Sequence, residues 1–310
     1  MIGDLFTLTV LVGVLASGIR LATPYLFAAL GETFGQRSGI LNLGVEGQML
    51  LGAIAAFYVT FQTGQLGLGI LAALIVGALM GLAMAFVTVN LQAEQGISGI
   101  GFYLFGLGMS DLLFQKLLGT VETVSGFPSL HIPVLADIPI LGEIFFQQNL
   151  LVYIAYLLVP ISWFILNKTT LGLKIRAVGE NPQAADSLGV NVARIRYFTI
   201  ILGGTLSGLA GASLSVGLLN VFQQNMTSGQ GFIAVALVYF GGWRPVGVLG
   251  GALLFSMVNA LQLWVQIKNI PIPSDFAVMM PYVLTILALV VAVKRERPPR
   301  ALSKPFERET

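Results

Sequence analysis

Long apolar runs separated by short polar interruptions make up most of the chain. A helix needs about 20 apolar residues to cross the hydrocarbon of a bilayer, and the pattern predicts nine segments. They cover residues 5–30, 41–61, 66–89, 97–118, 150–166, 197–219, 231–240, 246–265 and 276–293. Arg20 and Pro24 interrupt the first, which predicts a kink or an interfacial start. The seventh is too short to span as an ordinary helix and predicts a re-entrant or tilted element. The runs are continuous and lack the two-residue alternation of a membrane barrel. The predicted fold class is an all-α polytopic membrane protein with about nine transmembrane segments (roughly eight to ten), one of them short or re-entrant.

Composition supports this reading. Only 10% of the 310 residues are charged, against about 25% in a soluble domain, too few to cover a soluble surface. There is no cysteine, which excludes disulfides, thiolate metal sites and thiol catalysis. The single histidine, His131, falls in a proline-rich loop and reads as solvated. The first apolar stretch has no basic leader and is too long for a cleavable signal.

The net charge of +2 hides an asymmetry. Lys and Arg in short loops favour the cytoplasm. Five lie at Lys168, Lys174, Arg176, Arg194 and Arg196, and six lie in the tail from Lys294 to Arg308. With Arg37 and Arg244, thirteen of the 16 basic residues fall on one side, which this preference assigns as inside and which alternates correctly through segments 2 to 9. A first segment that crosses once puts the N-terminus outside. If Arg20 splits it, the N-terminus lies inside. Residues 1–293 therefore read as one transmembrane domain with a cytoplasmic loop at 168–196, and 294–310 as a basic cytoplasmic tail. The external stretch 119–149 is too apolar for a free loop and too broken by Pro128, Pro133 and Pro139 for a span. It is expected to pack as short elements on the outer face.

The cytoplasmic loop carries "VGENPQAADSLGVN". Asn181 is a good N-cap, Pro182 suits the first helical position, and Gly189 suits the left-handed stop. These delimit a two-turn helix that is too short to be stable alone in water. It needs a partner, to which Ala184, Ala185 and Leu188 offer a small apolar face, unless it merely tidies a turn.

This loop resembles the coupling helix of ABC importer permeases of the ribose and branched-chain amino acid group, whose pattern is Gly-Glu-Asn-Pro-x-Ala-Ala. Two further stretches, "GETFGQRSGILNLGVEGQMLLGA" at 31–53 and "IPVLADIPILGEIFFQQN" at 132–149, are similar to the simple-sugar and nucleoside branch. The resemblance covers most of the chain. It implies a permease subunit that is not itself an enzyme and moves solute inward by alternating access. The solute implied is a nucleoside, with a simple sugar such as ribose as the alternative. Gly179, Glu180, Asn181, Pro182, Ala184, Ala185, Leu188 and Gly189 would dock into an ATPase subunit. That partner would bind ATP and Mg, while this chain would need no cofactor. The resemblance further implies a second permease subunit, an extracytoplasmic solute-binding protein, and the cytoplasmic membrane of a bacterium or archaeon.

Several polar groups fall inside predicted spans. Asn42 and Glu46 are four residues apart at the start of the second segment, which predicts a shared helical face. A charge at mid-bilayer costs about 2.5–3.5 kcal/mol or more, so Glu46 must face protein, water or a cation. Two readings stand: Asn42 and Glu46 line the translocation path, or Glu46 anchors a broken helix, with Arg37 or Arg20 as partner. Ser98, Phe102 and Tyr103 join the path candidates, because aromatics beside glycines can stack on a base or sugar; they also fit ordinary lipid-facing packing. Gly204, Gly208 and Ala212 recur every four residues, as do Gly203, Ser207 and Gly211, a spacing for tight helix packing in lipid. Asn220, Gln223, Gln224 and Asn225 read as a solvated outer helix end. No G-x-x-x-x-G-K-[ST] phosphate loop occurs, and no metal or triad spacing stands out. An ion-coupled transporter would need intramembrane carboxylates that are scarce here, and a membrane enzyme would need a catalytic cluster.

Overall fold

A computed structural model of the chain describes residues 8–267 and 298–307, with a few positions between 279 and 290. The ninth predicted segment, 276–293, lies largely outside the described residues. Eleven helices occur among those described: α1 Leu8–Arg37, α2 Val45–Thr63, α3 Leu66–Ala85, α4 Gln95–Leu117, α5 Leu141–Phe145, α6 Leu150–Lys168, α7 Thr170–Glu180, α8 Pro182–Ser187, α9 Val192–Ala212, α10 Gln230–Phe240 and α11 Pro245–Ile267. Wider π-turns prolong α3 through Phe86–Asn90 and α9 through Ser213–Leu218. Among the described residues, six helices are long and apolar enough to cross a membrane: α1, α3, α4, α6, α9 and α11.

The first segment differs from its sequence reading. Arg20 and Pro24 do not split it, and it continues past Leu30 to Arg37 as one helix. Arg20 Nε donates to Gln148 Oε1 at 3.1 Å, and Gln148 Nε2 donates to the carbonyls of Ala16 and Ile144. The charge is thus held at the junction of α5 and α6 instead of breaking the helix. Tyr25, Leu26, Phe27 and Ala28, around and after Pro24, are all buried. Protein neighbours stabilise a helix across a proline that isolated sequence would end.

α9 lies at the centre, against α1, α2 and α3. A Cβ on Gly208 would meet the Ala73 carbonyl and, at 3.0 Å, the Gly77 Cα. Small residues at four-residue spacing therefore let α3 and α9 touch backbone to backbone, as their pattern predicts. α3 and α4 lie outside this centre and expose Leu71, Ile75, Leu79, Leu104 and Phe105.

The connections gather at two ends. At one, Ala301 N donates to Gly179 O at 2.9 Å, Ser303 N to Gly39 O at 3.1 Å, and Arg37 Nε to Trp243 O at 2.8 Å. This end collects the basic loops. At the other, Val124 N donates to Asn220 O and Leu130 N to Gln148 O. There residues 119–149 fold as turns, two isolated β-bridges and the one-turn helix α5, matching the expectation of short elements. His131 is exposed, 3.3 Å from Asp137.

Candidate functional site

The end of α1 begins a buried polar network. Glu32 and Gln36 are one turn apart and both buried. Gln36 Nε2 donates to Glu32 Oε1 at 2.9 Å, and Trp243 Nε1 donates to Gln36 Oε1 at 2.7 Å. Residues 38–44 then leave the helix, with Gly39 at φ +92°, a left-handed conformation that favours glycine. Asn42 N donates to Glu32 Oε1 at 3.0 Å, and its Oδ1 accepts from Gly44 N at 2.9 Å. Such local side-chain bonds compete with helix, so α2 starts only at Val45. Asn42 therefore does not share a helical face with Glu46. Its Nδ2 turns to Gln48 Oε1 at 3.1 Å.

Glu46 is 1% exposed. Its Oε1 accepts from Thr227 Oγ1 at 2.6 Å and from Gly229 N at 2.7 Å, and its Oε2 accepts from Gly231 N at 2.5 Å. Gly229 and Gly231 flank the start of α10. The first N–H groups of a helix have no partner within it, and the aligned peptide dipoles make this end positive. A carboxylate placed here supplies the missing acceptors and the compensating charge together. Close approach is built in, since a Cβ on Gly231 would lie 2.5 Å from Glu46 N. Of the two sequence readings, the anchoring geometry is present, but the partner is a helix end and not Arg37 or Arg20.

α10 has 11 residues, about 16 Å of helix, roughly half of a bilayer core. Its far end sits at Trp243, bonded to Gln36 and Arg37 among the basic loops. Its Glu46-capped start therefore lies about 16 Å from the end that collects the basic loops.

The remaining path candidates separate. Ser98 and Phe102 line a cavity of about 680 Å³ with Leu51, Val76, Met80 and Met109, almost wholly apolar. Tyr103 packs edge-on against Phe232, with ring centroids 5.1 Å apart. Glu32, Gln36, Thr227 and Trp243 escaped sequence reasoning. The i,i+4 spacing of Glu32 and Gln36 would have marked them had the helix been extended beyond Leu30.

The loop 168–196 forms two helices. Thr169 caps α7 through Gly172 N, and Asn181 caps α8 through Ala184 N at 3.0 Å. Pro182 takes the first helical position, and Gly189 follows the end at φ +83°. The predicted delimiters hold. The predicted apolar face divides: Ala185 is 3% exposed and packs in a cluster with Phe34, Ile175 and Val178, whereas Leu188 is 85% exposed. Ala184 within α8 and Leu188 just past its end are both exposed, while Ala185 holds α8 to the body. Gly179 is buried against the Arg37 carbonyl, and Glu180 is exposed.

Comparison with known proteins identifies this architecture. Residues 14–289 match the family described as branched-chain amino acid transport system / permease component. The chain belongs to this permease family. The permease is 39% identical over 282 residues to a putative glucose ABC transporter permease protein of Haloferax volcanii, covering 89% of this chain and 85% of that one. It is 38% identical over 297 residues to a guanosine ABC transporter permease protein of Bacillus subtilis, covering 92% and 93%. A nucleoside ABC transporter permease protein of Lactococcus lactis subsp. cremoris is 36% identical over 299 residues, covering 93% and 94%. No solved structure matches the chain. The permease is a multi-pass membrane transport subunit of the ABC class.

Proposed function

We propose that the permease imports nucleosides inward across the cytoplasmic membrane of a bacterium or archaeon, driven by partner ATPase subunits that bind ATP and Mg. In this reading it has nine membrane segments, the basic loops and tail face the cytoplasm, and residues 1–293 form the transmembrane domain. A single continuous α1 then puts the N-terminus outside. A second permease subunit, identical or related, completes the membrane unit, and an extracytoplasmic binding protein delivers solute. Relatives named for guanosine and nucleosides support the solute class; a relative named for glucose supports the alternative of a simple sugar.

The observation that carries the coupling is the seating of α8. Its outer face offers Leu188 and Ala184, and its inner face is fixed through Ala185. α7 ends at Glu180, and Gly179 lies on the Arg37 carbonyl at the end of α1. The turn after Arg37 leads through Asn42 to Glu46. A push on Asn181, Pro182, Ala184, Leu188 and Gly189 from a closing ATPase would thus reach the junction of α1, α2 and α10 through packed backbone. In this reading that junction is the bistable element a transporter needs to switch access between sides. Asn42 and Glu46 hold the wall of the path, and Ser98, Phe102 and Tyr103 lie beside it.

Uptake of labelled guanosine, uridine, ribose and glucose by cells carrying the full transporter tests the solute class. Uptake of both nucleosides, uncompeted by the sugars, is expected. Uptake of sugars alone would replace the nucleoside reading with the sugar one.

A further inference from the structure

The segment between α9 and α10 descends along α4. Phe222 packs on Phe114 with centroids 5.7 Å apart, and Phe232 on Tyr103 at 5.1 Å. From Tyr103 to Phe114 α4 advances by about 16 Å, so residues 222–231 cross a comparable depth without forming a helix until Gln230. Asn225 and Ser228 adopt left-handed conformations, φ +52° and +45°. Gln223, Gln224, Asn225 and Ser228 are exposed, and Phe232 is 37% exposed.

Irregular polar backbone within the hydrocarbon layer is tolerated only where protein covers it or water fills a cavity beside it. With α10 as a membrane segment in the reading above, this face turns away from lipid. Its upper part is the exposed polar stretch that the sequence reads as an outer helix end, and its lower part reaches the buried Glu46 carboxylate through Thr227. A polar wall with the exposed Phe232 ring and the half-buried Tyr103 ring at its lower end has the makings of a recognition surface. Rings stack on any flat base face, and the amides above them can bond base edges and ribose hydroxyls.

We propose that Gln223, Gln224, Asn225, Ser228, Phe232 and Tyr103 line the water-filled solute path, and that Phe232 and Tyr103 are the stacking site for a nucleobase passing the level of Glu46. This rests on the nucleoside reading above. Stacking on a single ring is a fold-change of about ten, corresponding to about 1.4 kcal/mol.

Two measurements on the full transporter test it. Single cysteines at Asn225 and Ser228 are clean probes, since the chain has none of its own. Both should react with a membrane-impermeant methanethiosulfonate added outside sealed cells. Phe232→Ala and Tyr103→Ala should each lower the maximal rate of guanosine uptake about tenfold, with ATPase co-purification retained as the control for folding. Phe232→Tyr, which keeps a ring, should restore most of the rate, and Phe232→Leu, which keeps apolar bulk without a flat face, should not; a purely structural role in apolar packing would be restored by both. Unreactive cysteines, including ones that only cross-link to the second permease, would overturn the path assignment. Full-rate guanosine uptake in Phe232→Ala would overturn the stacking site alone. A wild-type transporter that moves ribose and no nucleoside would instead remove the reading on which the site rests.

Discussion

Glu46→Gln isolates the anchoring of α10. The substitution keeps shape and length but removes the charge and exchanges one acceptor for a donor. Glu46 now accepts three hydrogen bonds, from Thr227 Oγ1, Gly229 N and Gly231 N. A glutamine oxygen placed at Oε1 keeps the first two, while its amide nitrogen then faces the Gly231 N–H, donor against donor. An orphaned buried donor costs about 1–3 kcal/mol. Loss of the charge at a partly buried helix start adds about 1–2 kcal/mol. The sum, about 2–5 kcal/mol, is a large share of a typical folding stability. Purified permease–ATPase complex carrying Glu46→Gln should melt several degrees below wild type in detergent, and its uptake should fall. Gly231→Ala tests the same junction from the other side. Its Cβ would lie 2.5 Å from Glu46 N and 2.6 Å from Glu46 Cα, and backbone cannot swing aside as a side chain can. Wild-type melting and uptake in both variants would refute the reasoning that α10 is held by this carboxylate.

Two other regions give distinct outcomes. Leu188→Asp should leave the melting temperature unchanged and abolish ATPase co-purification, because Leu188 is 85% exposed. Ala185→Arg should instead lower the melting temperature, since it buries an unpaired charge in the cluster with Phe34 and Ile175, at a cost of several kcal/mol. Asn181→Ala should remove the cap on Ala184 N and cost about 0.5–2 kcal/mol, with uptake partly impaired. Gly208→Leu should prevent accumulation of folded permease, measured by monodispersity in detergent, because the Ala73 carbonyl leaves no room for a side chain.

What the sequence discloses tracks how local its cause is. α8 was legible to the residue because Asn181, Pro182 and Gly189 act on their immediate neighbours. The close packing of α9 was legible because small-residue spacing is a property of one helix. The continuation of α1 to Arg37 was not, because Gly31, Glu32 and Gln36 look like the start of a loop unless their buried partners are known. Glu46 could be recognised as needing a partner, but Thr227 is 181 residues away and carries no pattern of its own. Ala185 and Leu188 appeared equivalent as small apolar positions on one short helix. Only the packing of α8 against α7 and α9 separates the inward residue from the outward one. The polar residues 223–225 are exposed as the sequence suggests, but the sequence does not reveal that the chain then runs along α4 from Phe114 to Tyr103.

The central claim is that ATP hydrolysis by a docked partner moves solute through this permease. Proteoliposomes containing the permease, its partner permease and ATPase, with external binding protein and ATP enclosed inside, measure it directly. Labelled guanosine should accumulate with enclosed ATP, and should not accumulate with a non-hydrolysable analogue or with Leu188→Asp. Accumulation driven by an imposed proton or sodium gradient in the absence of the ATPase would contradict the account.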